Sequence, residues 1–184
     1  MSKVYGAGVL IMLLLVACSV GSAQERRVEF FDPKIGGFSF VADHDEFAIL
    51  TDADTMTTDG AVYPFQFGSV QVWDENKTMG AYVSLSRFDR GKPPVETEKK
   101  LFIKSFVSSG GEMWEDSPVS GIVAGYNATI WQGVGMPYYM DAQKKQLRHF
   151  SATIIYIDIN ESMSMAIGAE EPLLSEIIGS IVVE

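Results

Sequence analysis

The feature that most constrains the fold is a strand-like alternation of side chains in residues 61–73, AVYPFQFGSVQVW. Phe65 and Phe67 lie on one face of this alternating pattern, whereas Val70 and Val72 lie on the other. The phase changes at Gly68-Ser69, where a β-bulge is the simplest explanation. The pattern therefore predicts a bulged β-strand.

Other segments have the apolar, β-branched and aromatic character of strands. They are residues 38–41, 79–88, 121–132, 147–159 and 162–168. Residues 74–77 are predicted to form a hairpin turn, and residues 160–161 to connect the last two strands. The acidic, polar stretch 42–60 offers only residues 47–50 as a short strand or turn of helix.

Two segments have helical patterns. The first follows Pro93-Pro94 and ends before Gly110-Gly111, and its apolar side chains recur at helical spacing. These side chains are Val95, Phe102, Ile103 and Phe106. The second begins at Pro172 and carries an apolar stripe from Leu173 to Ile181. Strands interrupted and closed by helices predict an α+β fold, in which helices pack on an antiparallel sheet.

Several stretches resemble the layout of PsbP-like domains, which are small secreted or lumenal α+β sandwiches. They are GGFSF, ETEKKLFIKSF, VAGYNATI and PLLSEIIGSIVV. The resemblance spans residues 34–184 and involves no catalytic signature. Family members often have a proline and a tryptophan soon after the first strand, where this chain has Ala42 and Phe47. The resemblance implies an accessory or binding role, often on a larger membrane assembly.

The first 23 residues have the pattern of a secretory signal. Lys3 precedes an aliphatic run, VLIMLLLVA, and small residues follow that run. We expect residues 1–23 to be this signal, residues 24–34 a short tether and residues 35–184 a single domain.

Cys18 is the only cysteine, so it has no disulfide partner within the chain. The tetrapeptide Leu15-Val16-Ala17-Cys18 resembles the lipobox of prokaryotic lipoproteins, which implies lipidation at Cys18. Cleavage after Ala23 and retention as an uncleaved anchor are the alternatives.

The charge of the chain restricts the class of partner. The formal net charge is −10, and it becomes −11 if Lys3 leaves with the signal. Nucleic acids and anionic lipid surfaces require cationic contacts, so we expect neither as a partner. A cation or a basic partner remains open.

All three asparagines lie in N-x-S/T acceptor sequences, which predicts a glycoprotein. The candidate glycosylation sites are Asn76, Asn127 and Asn160. Turn formation is the alternative explanation, because asparagine and serine both favour turns.

The sequence does not predict an enzyme or a bound cofactor. It contains no phosphate-binding or dinucleotide-binding glycine motif, and no G-x-S-x-G elbow. Of the two histidines, His149 follows Arg148 at a predicted strand start, where a structural role is favoured.

Acidic residues between 43 and 59 are weak candidates for a calcium site, because calcium prefers several oxygen ligands. The candidates are Asp43, His44, Asp45, Asp52, Asp54 and Asp59. Their spacing is not that of an EF-hand, and a solvated acidic loop is the favoured interpretation.

An aromatic segment is the candidate partner surface. It contains Trp131, Tyr138 and Tyr139, and its glycines and Pro137 suggest an exposed loop. Core packing or loop bracing is the favoured alternative for the same side chains.

These observations predict an extracytoplasmic lipoprotein on the outer face of the cell membrane. It would act as a non-enzymatic binding or assembly-accessory module, with a protein partner at the membrane surface. The alternative is a secreted domain that binds a ligand or a cation such as calcium.

Overall fold

Eleven β-strands and two short helices make up the described part of a computed structural model. The structure describes residues 26–44, 46–58, 60–73, 79–115, 117–139 and 147–184. The strands are β1 (Arg26–Asp32), β2 (Gly36–Ala42), β3 (Glu46–Thr58), β4 (Ala61–Trp73), β5 (Met79–Phe88), β6 (Glu112–Met113), β7 (Val119–Val123), β8 (Tyr126–Tyr139), β9 (Leu147–Asn160), β10 (Met163–Ala169) and β11 (Val182–Val183). The helices are α1 (Val95–Ser108) and α2 (Leu173–Ser180).

The strands form two antiparallel sheets. The smaller sheet has the order β1–β2–β11. The larger has the order β3–β4–β5–β10–β9–β8–β6, and β7 also pairs with β8. This β-rich fold shows that the predicted α+β fold, an antiparallel sheet with packed helices, is wrong. Strands predominate because the helices are only 14 and 8 residues long, whereas β3, β4, β8 and β9 each have 13 or 14 residues.

The main hydrophobic core lies between the two sheets and includes α2. Alternate residues of each central strand enter it, as the predicted common face of Ala81, Val83 and Leu85 illustrates. Further members are Phe30, Phe38, Phe40, Val70, Val72, Ile155, Ile157, Met165, Ile167 and Ile177.

The opposite face of the larger sheet is partly covered by α1. Phe102 packs against Trp131 and Tyr156, with ring centroids 6.1 and 6.2 Å apart. Val95, Ile103 and Phe106 contact the same cluster of sheet residues. Strands β8 and β9 are therefore covered on both faces over part of their length.

The phase change in β4 has a different origin from the predicted bulge. The pairing of β3 with β4 is continuous through Gly68-Ser69, and β4 and β5 shift register only between Val72 and Trp73. Phe65 packs against Phe88 on the α1 side, with ring centroids 5.1 Å apart, whereas Val70 and Val72 enter the main core. Both phases are apolar because both sheet faces have packing partners.

Two further segments differ from the prediction. Residues 46–58, expected to be mainly irregular, form the long strand β3. The segment around Gly133 and Pro137, expected to be an exposed loop, belongs to β8, which continues to Tyr139. A register shift between Trp131 and Val134 accommodates Gly133, whose φ of 61° favours glycine.

The segment expected to be a tether, residues 24–34, includes β1. This strand pairs with β2 from Arg26 to Asp32, and its Val28 and Phe30 are buried in the main core. The expected signal, residues 1–23, lies outside the described residues.

Candidate functional site

A polar cleft and the charged cluster beside it lie where α1 begins. The chain reaches this point through a connection that is hydrogen-bonded to the β9–β10 turn. The backbone N–H of Phe88 donates to the Ser162 carbonyl at 2.8 Å, and that of Lys92 donates to the Glu161 carbonyl at 3.0 Å. Pro93 and Pro94 then restrict the backbone immediately before α1. Lys92 is thus fixed between the turn and the helix.

Glu98 lies in the first turn of α1 and points into the protein, where it is 2% exposed. The Tyr156 hydroxyl donates to its Oε2 at 2.7 Å, and the Ser164 hydroxyl donates to its Oε1 at 2.6 Å. Lys92 Nζ lies 3.6 Å from Oε2. The carboxylate therefore has a hydrogen bond at each oxygen and a compensating positive charge, as a buried charge requires.

Lys92 connects this buried carboxylate to the cleft. Its Nζ donates to the Tyr156 hydroxyl at 3.2 Å and also contacts Asp158 Oδ1. The Lys92 side chain is 6% exposed, whereas that of Asp158 is 30% exposed. Burial, and next the charge of Glu98, raise the pKa of the Tyr156 phenol above its ordinary value.

The cleft has a volume of about 430 Å³. Its walls come from the start of α1, the β7–β8 turn and the β9–β10 turn. They comprise Lys92, Val95, Gly125, Tyr126, Asn127, Asp158, Ile159, Asn160 and Glu161. The volume falls within the ordinary range of small-molecule and side-chain pockets.

The charge of the cleft is negative. Its lining contributes one cation, Lys92, and two carboxylates, Asp158 and Glu161. Glu98 lies directly behind Lys92 and adds a third negative charge. Lys92 is committed to these internal partners, so the groups that face an incoming ligand are carboxylate oxygens and asparagine amides. They are suited to an ammonium or guanidinium group.

Two of the predicted glycosylation sites lie in this cleft. Asn127 and Asn160 are both exposed, at the start of β8 and the end of β9. The Asn160 side-chain oxygen accepts hydrogen bonds from Ser162 N at 2.9 Å and Ser162 Oγ at 3.1 Å. This is the turn chemistry that was the alternative explanation for that acceptor sequence. Asn76 lies outside the described residues, and glycosylation stays a prediction.

The acidic metal candidates do not share one loop. Asp43 and His44 lie between β2 and β3, whereas Asp52 and Asp54 lie within β3. Six residues of extended strand separate Glu46 from Asp52, which is about 20 Å. Among the described residues, no group of three or more His, Cys, Asp or Glu side chains could hold a metal ion. Asp45 and Asp59 lie outside the described residues.

The two histidines occupy different surroundings. His149 Nε2 lies 2.6 Å from the Gly110 carbonyl, and its Nδ1 lies 3.6 Å from Glu112 Oε1. His149 therefore connects β9 to the end of α1 and to β6. His44 Nδ1 is buried, and no hydrogen-bond partner for it occurs in the described part of the chain.

The aromatic candidates for a partner surface are placed in a strand. Trp131 is 6% exposed and packs under α1, so the core-packing alternative describes it. Tyr138 and Tyr139 lie at the end of β8, where their backbones pair with Arg148 and Leu147. Cys18, the expected lipidation site, lies outside the described residues. Within the described part of the chain, neither helix combines the length and apolar character that a membrane span requires.

The charged cluster was missed in the sequence, although one signal for it exists. Glu98 lies three residues after Val95 and four before Phe102, so it falls on the apolar stripe of α1. A carboxylate on a buried stripe needs a buried partner. The partners Lys92, Tyr156 and Ser164 lie 6 to 66 residues away along the chain, and no local pattern identifies them.

Comparison with known proteins found no matching family model, no matching curated protein and no matching solved structure. The resemblance to PsbP-like domains stays a prediction.

Proposed function

We propose that the protein is an exported, non-enzymatic binding module that receives a basic side chain of a protein partner in the cleft beside α1. A lipid on Cys18 would hold the module at the outer face of the membrane. Tethering of this kind raises the effective concentration of a binding site near membrane partners without adding a contact.

The proposal depends on one observation, namely that Lys92 is already paired with groups of the protein itself. Its ammonium group contacts Asp158, Tyr156 and Glu98, so it is not a free anion-binding group. The exposed part of Asp158 and the exposed Glu161 leave the cleft with negative charge. An arginine or lysine side chain supplies both the opposite charge and the N–H donors that these oxygens accept.

A metal ion fits the cleft less well than an organic cation. Calcium takes six to eight oxygen ligands around one point, whereas in this cleft Asp158 is already paired with Lys92 and the Asn160 side-chain oxygen already accepts from Ser162. The walls also include Val95, Tyr126 and Ile159, which can contact the aliphatic part of a lysine or arginine side chain. The lining thus matches a long side chain with a charged end.

The proposal is tested by titrating the full-length chain with Nα-acetyl-arginine amide while recording amide chemical shifts by NMR. We expect shifts in the residues of the two turns, including Asn127 and Glu161. Glu161→Gln should weaken binding by about two- to fivefold, because one exposed charge pair is lost.

Neutral Nα-acetyl-glutamine amide is the ligand control, and Glu115→Gln, an exposed carboxylate outside the cleft lining, is the matched variant. Equal binding of the glutamine and arginine compounds, or shifts located away from the two turns, would contradict the proposal.

A further inference from the structure

Strand β3 lies at the edge of the larger sheet. Among the described strands, it pairs only with β4, and this pairing runs over all 13 residues from Glu46 to Thr58. Such an edge presents backbone N–H and C=O groups that an additional strand can bind.

The hydrogen bonding of Pro64 in β4 shows which residues of β3 point their backbone N–H and C=O groups away from β4, that is, outward. Its carbonyl accepts a hydrogen bond from Asp89 N at 3.1 Å, so the backbone groups of Pro64 point toward the β5 side. Thr55, which pairs with Pro64, therefore does not exchange hydrogen bonds with it and points away from β4. Because the pattern alternates, Phe47, Ile49, Thr51 and Ala53 share this outward direction.

Two of the outward N–H groups already donate hydrogen bonds to aspartate side chains. The Ala53 N–H donates to Asp52 Oδ1 at 2.8 Å, and the Thr55 N–H donates to Asp54 Oδ1 at 2.7 Å. Among the residues that the structure describes, no corresponding side-chain acceptor occurs for Phe47, Ile49 or Thr51. Residues 47–51, hereafter the open edge, therefore differ from the second half of β3.

The open edge also exposes two large apolar side chains. Ile49 is 57% exposed and Leu50 is 48% exposed, and they lie on opposite faces of the sheet. Long edge strands are usually protected by charges, prolines or covering elements. An unmasked edge with apolar side chains on both faces has the properties of a strand-addition site.

We propose that the open edge binds an extended segment of a partner protein as an added β-strand, and that this segment carries lysine or arginine near both ends. Glu46, Asp52 and Asp54 are exposed on the same face of the sheet as Leu50, and they flank it. Basic side chains opposite them would form cross-strand charge pairs, and apolar side chains would cover Ile49 and Leu50.

Charge argues against a second copy of this chain as the occupant. An antiparallel pair of β3 strands centred on Ile49 would place Asp52 opposite Glu46 of the other copy. Like charges directly opposite each other destabilise a strand pair, and each chain carries a net charge of −10. A basic segment avoids both penalties.

A cavity beside the open edge offers room for a side chain of the added strand. It has a volume of about 310 Å³ and lies between the β1–β2 turn and β3. Lys34, Ile35, Thr51 and Gln66 contribute to its walls. In strand addition, backbone hydrogen bonds provide affinity, and pockets for alternate side chains provide specificity.

The test uses the peptide acetyl-Lys-Thr-Val-Val-Thr-Thr-Lys-amide with the full-length chain, measured by calorimetry and by hydrogen exchange of the backbone amides. We expect the peptide to slow exchange at Phe47, Ile49 and Thr51. Thr51→Pro should lower its affinity at least about tenfold, because proline removes an outward donor without removing a β3–β4 hydrogen bond.

Thr57→Pro is the matched control, since it makes the same change at an outward position of β3 beyond the reach of a seven-residue peptide. It should bind the peptide as the parent chain does. If Thr51→Pro does not fold, the exchange pattern of the parent chain decides, and unprotected amides at residues 47, 49 and 51 would overturn the proposal.

A peptide with glutamine in place of both lysines tests the charge of the partner, and we expect about fivefold weaker binding. Equal binding would overturn the assignment of a basic partner. Concentration-dependent dimerisation that is abolished by Thr51→Pro would assign the edge to a second copy instead. Glu161→Gln shows whether the lysines of the peptide bind the cleft instead. Unchanged affinity supports the open edge as the site, whereas weakened affinity with unprotected amides at residues 47, 49 and 51 would overturn it, so failure here is distinguishable from failure of the cleft proposal.

Discussion

Glu98 and Lys92, at the start of α1, contribute both to the stability of the fold and to the charge beside the cleft. Glu98 accepts hydrogen bonds from Tyr156 and Ser164 and is paired with Lys92. A buried ion pair of this kind adds little net stability over apolar packing, but loss of one member leaves the other groups without partners. Glu98 is therefore a residue whose removal should be costly.

We predict that Glu98→Ala lowers the free energy of unfolding by about 3–5 kcal/mol, because Lys92, Tyr156 and Ser164 lose a buried acceptor. Urea denaturation followed by tryptophan fluorescence measures this change. Glu96→Ala is the control in the same helix turn, and it should change stability little, because Glu96 and its partner Lys99 form a surface pair. Similar losses for both variants would argue against the buried ion-pair account.

The raised pKa of Tyr156 predicts a loss of stability at alkaline pH. The unfolded chain releases the tyrosine proton near pH 10, whereas the folded chain retains it, so the stabilising contribution is complete below pH 10 and declines as pH rises. When the pH rises from 10 to 11, the free energy of unfolding should fall in the parent chain. In Tyr156→Phe we expect this fall to be smaller by up to about 1.4 kcal/mol. Urea denaturation at both pH values tests this, and an equal loss in both proteins would contradict it.

At the scale of secondary-structure elements, β3 is a strand because of its pairing with β4 and not because of its own sequence pattern. The large apolar side chains of β3 are concentrated near its start, at Phe47, Ile49 and Leu50. The segment was not predicted as one strand, because residues 51–58 are mostly polar and exposed and so need no apolar pattern. Their pairing with β4, which is strongly patterned, determines the strand. The side-chain oxygens of Asp52 and Asp54 then mask part of its edge by accepting backbone hydrogen bonds.

We predict that replacing both Asp52 and Asp54 with alanine promotes self-association of the chain, because the Ala53 and Thr55 N–H groups become available for edge pairing. Replacing both with asparagine removes the same charge but should promote less self-association, since the amide oxygen can still accept from the backbone. Sedimentation velocity over a concentration series measures the self-association of the two double variants. Equal self-association of the two variants would show that charge, not masking, protects this edge.

At the scale of the whole molecule, the two sheets are joined through a close contact between Phe30 and Gly68. A side-chain carbon added at Gly68 would lie 1.9 Å from the Phe30 ring. Glycine is therefore required at this point of β4 because an aromatic ring from the other sheet occupies the space of its side chain.

We predict that Gly68→Ala destabilises the protein by about 1–3 kcal/mol, because Phe30 must move from its position between the sheets. Gly179→Ala is the control, since a side chain there meets nothing within 4 Å and the residue lies in α2. It should be neutral or stabilising by up to about 1 kcal/mol. Thermal unfolding of both variants measures the difference, and a stable Gly68→Ala protein would contradict the contact.

The proposed export and tethering make a prediction for the protein in its own cells. Intact-mass analysis of the protein from its own cells should give a polypeptide that begins at Cys18 and carries acyl chains. A mass that begins at Gln24 would support the secreted alternative, and an unmodified chain that retains Met1 in the cytosol would exclude both.

The sequence by itself determined the two helices, the central strands and the shared face of Ala81, Val83 and Leu85, because these depend on local periodicity and on proline and glycine at element ends. It did not determine the β-rich class or the course of β3. Only the tertiary structure brought Lys92, Glu98, Tyr156 and Asp158 together and left residues 47–51 as an open edge. Their proximity depends on strand order and on pairings between distant segments, and neither leaves a pattern within a single stretch of sequence.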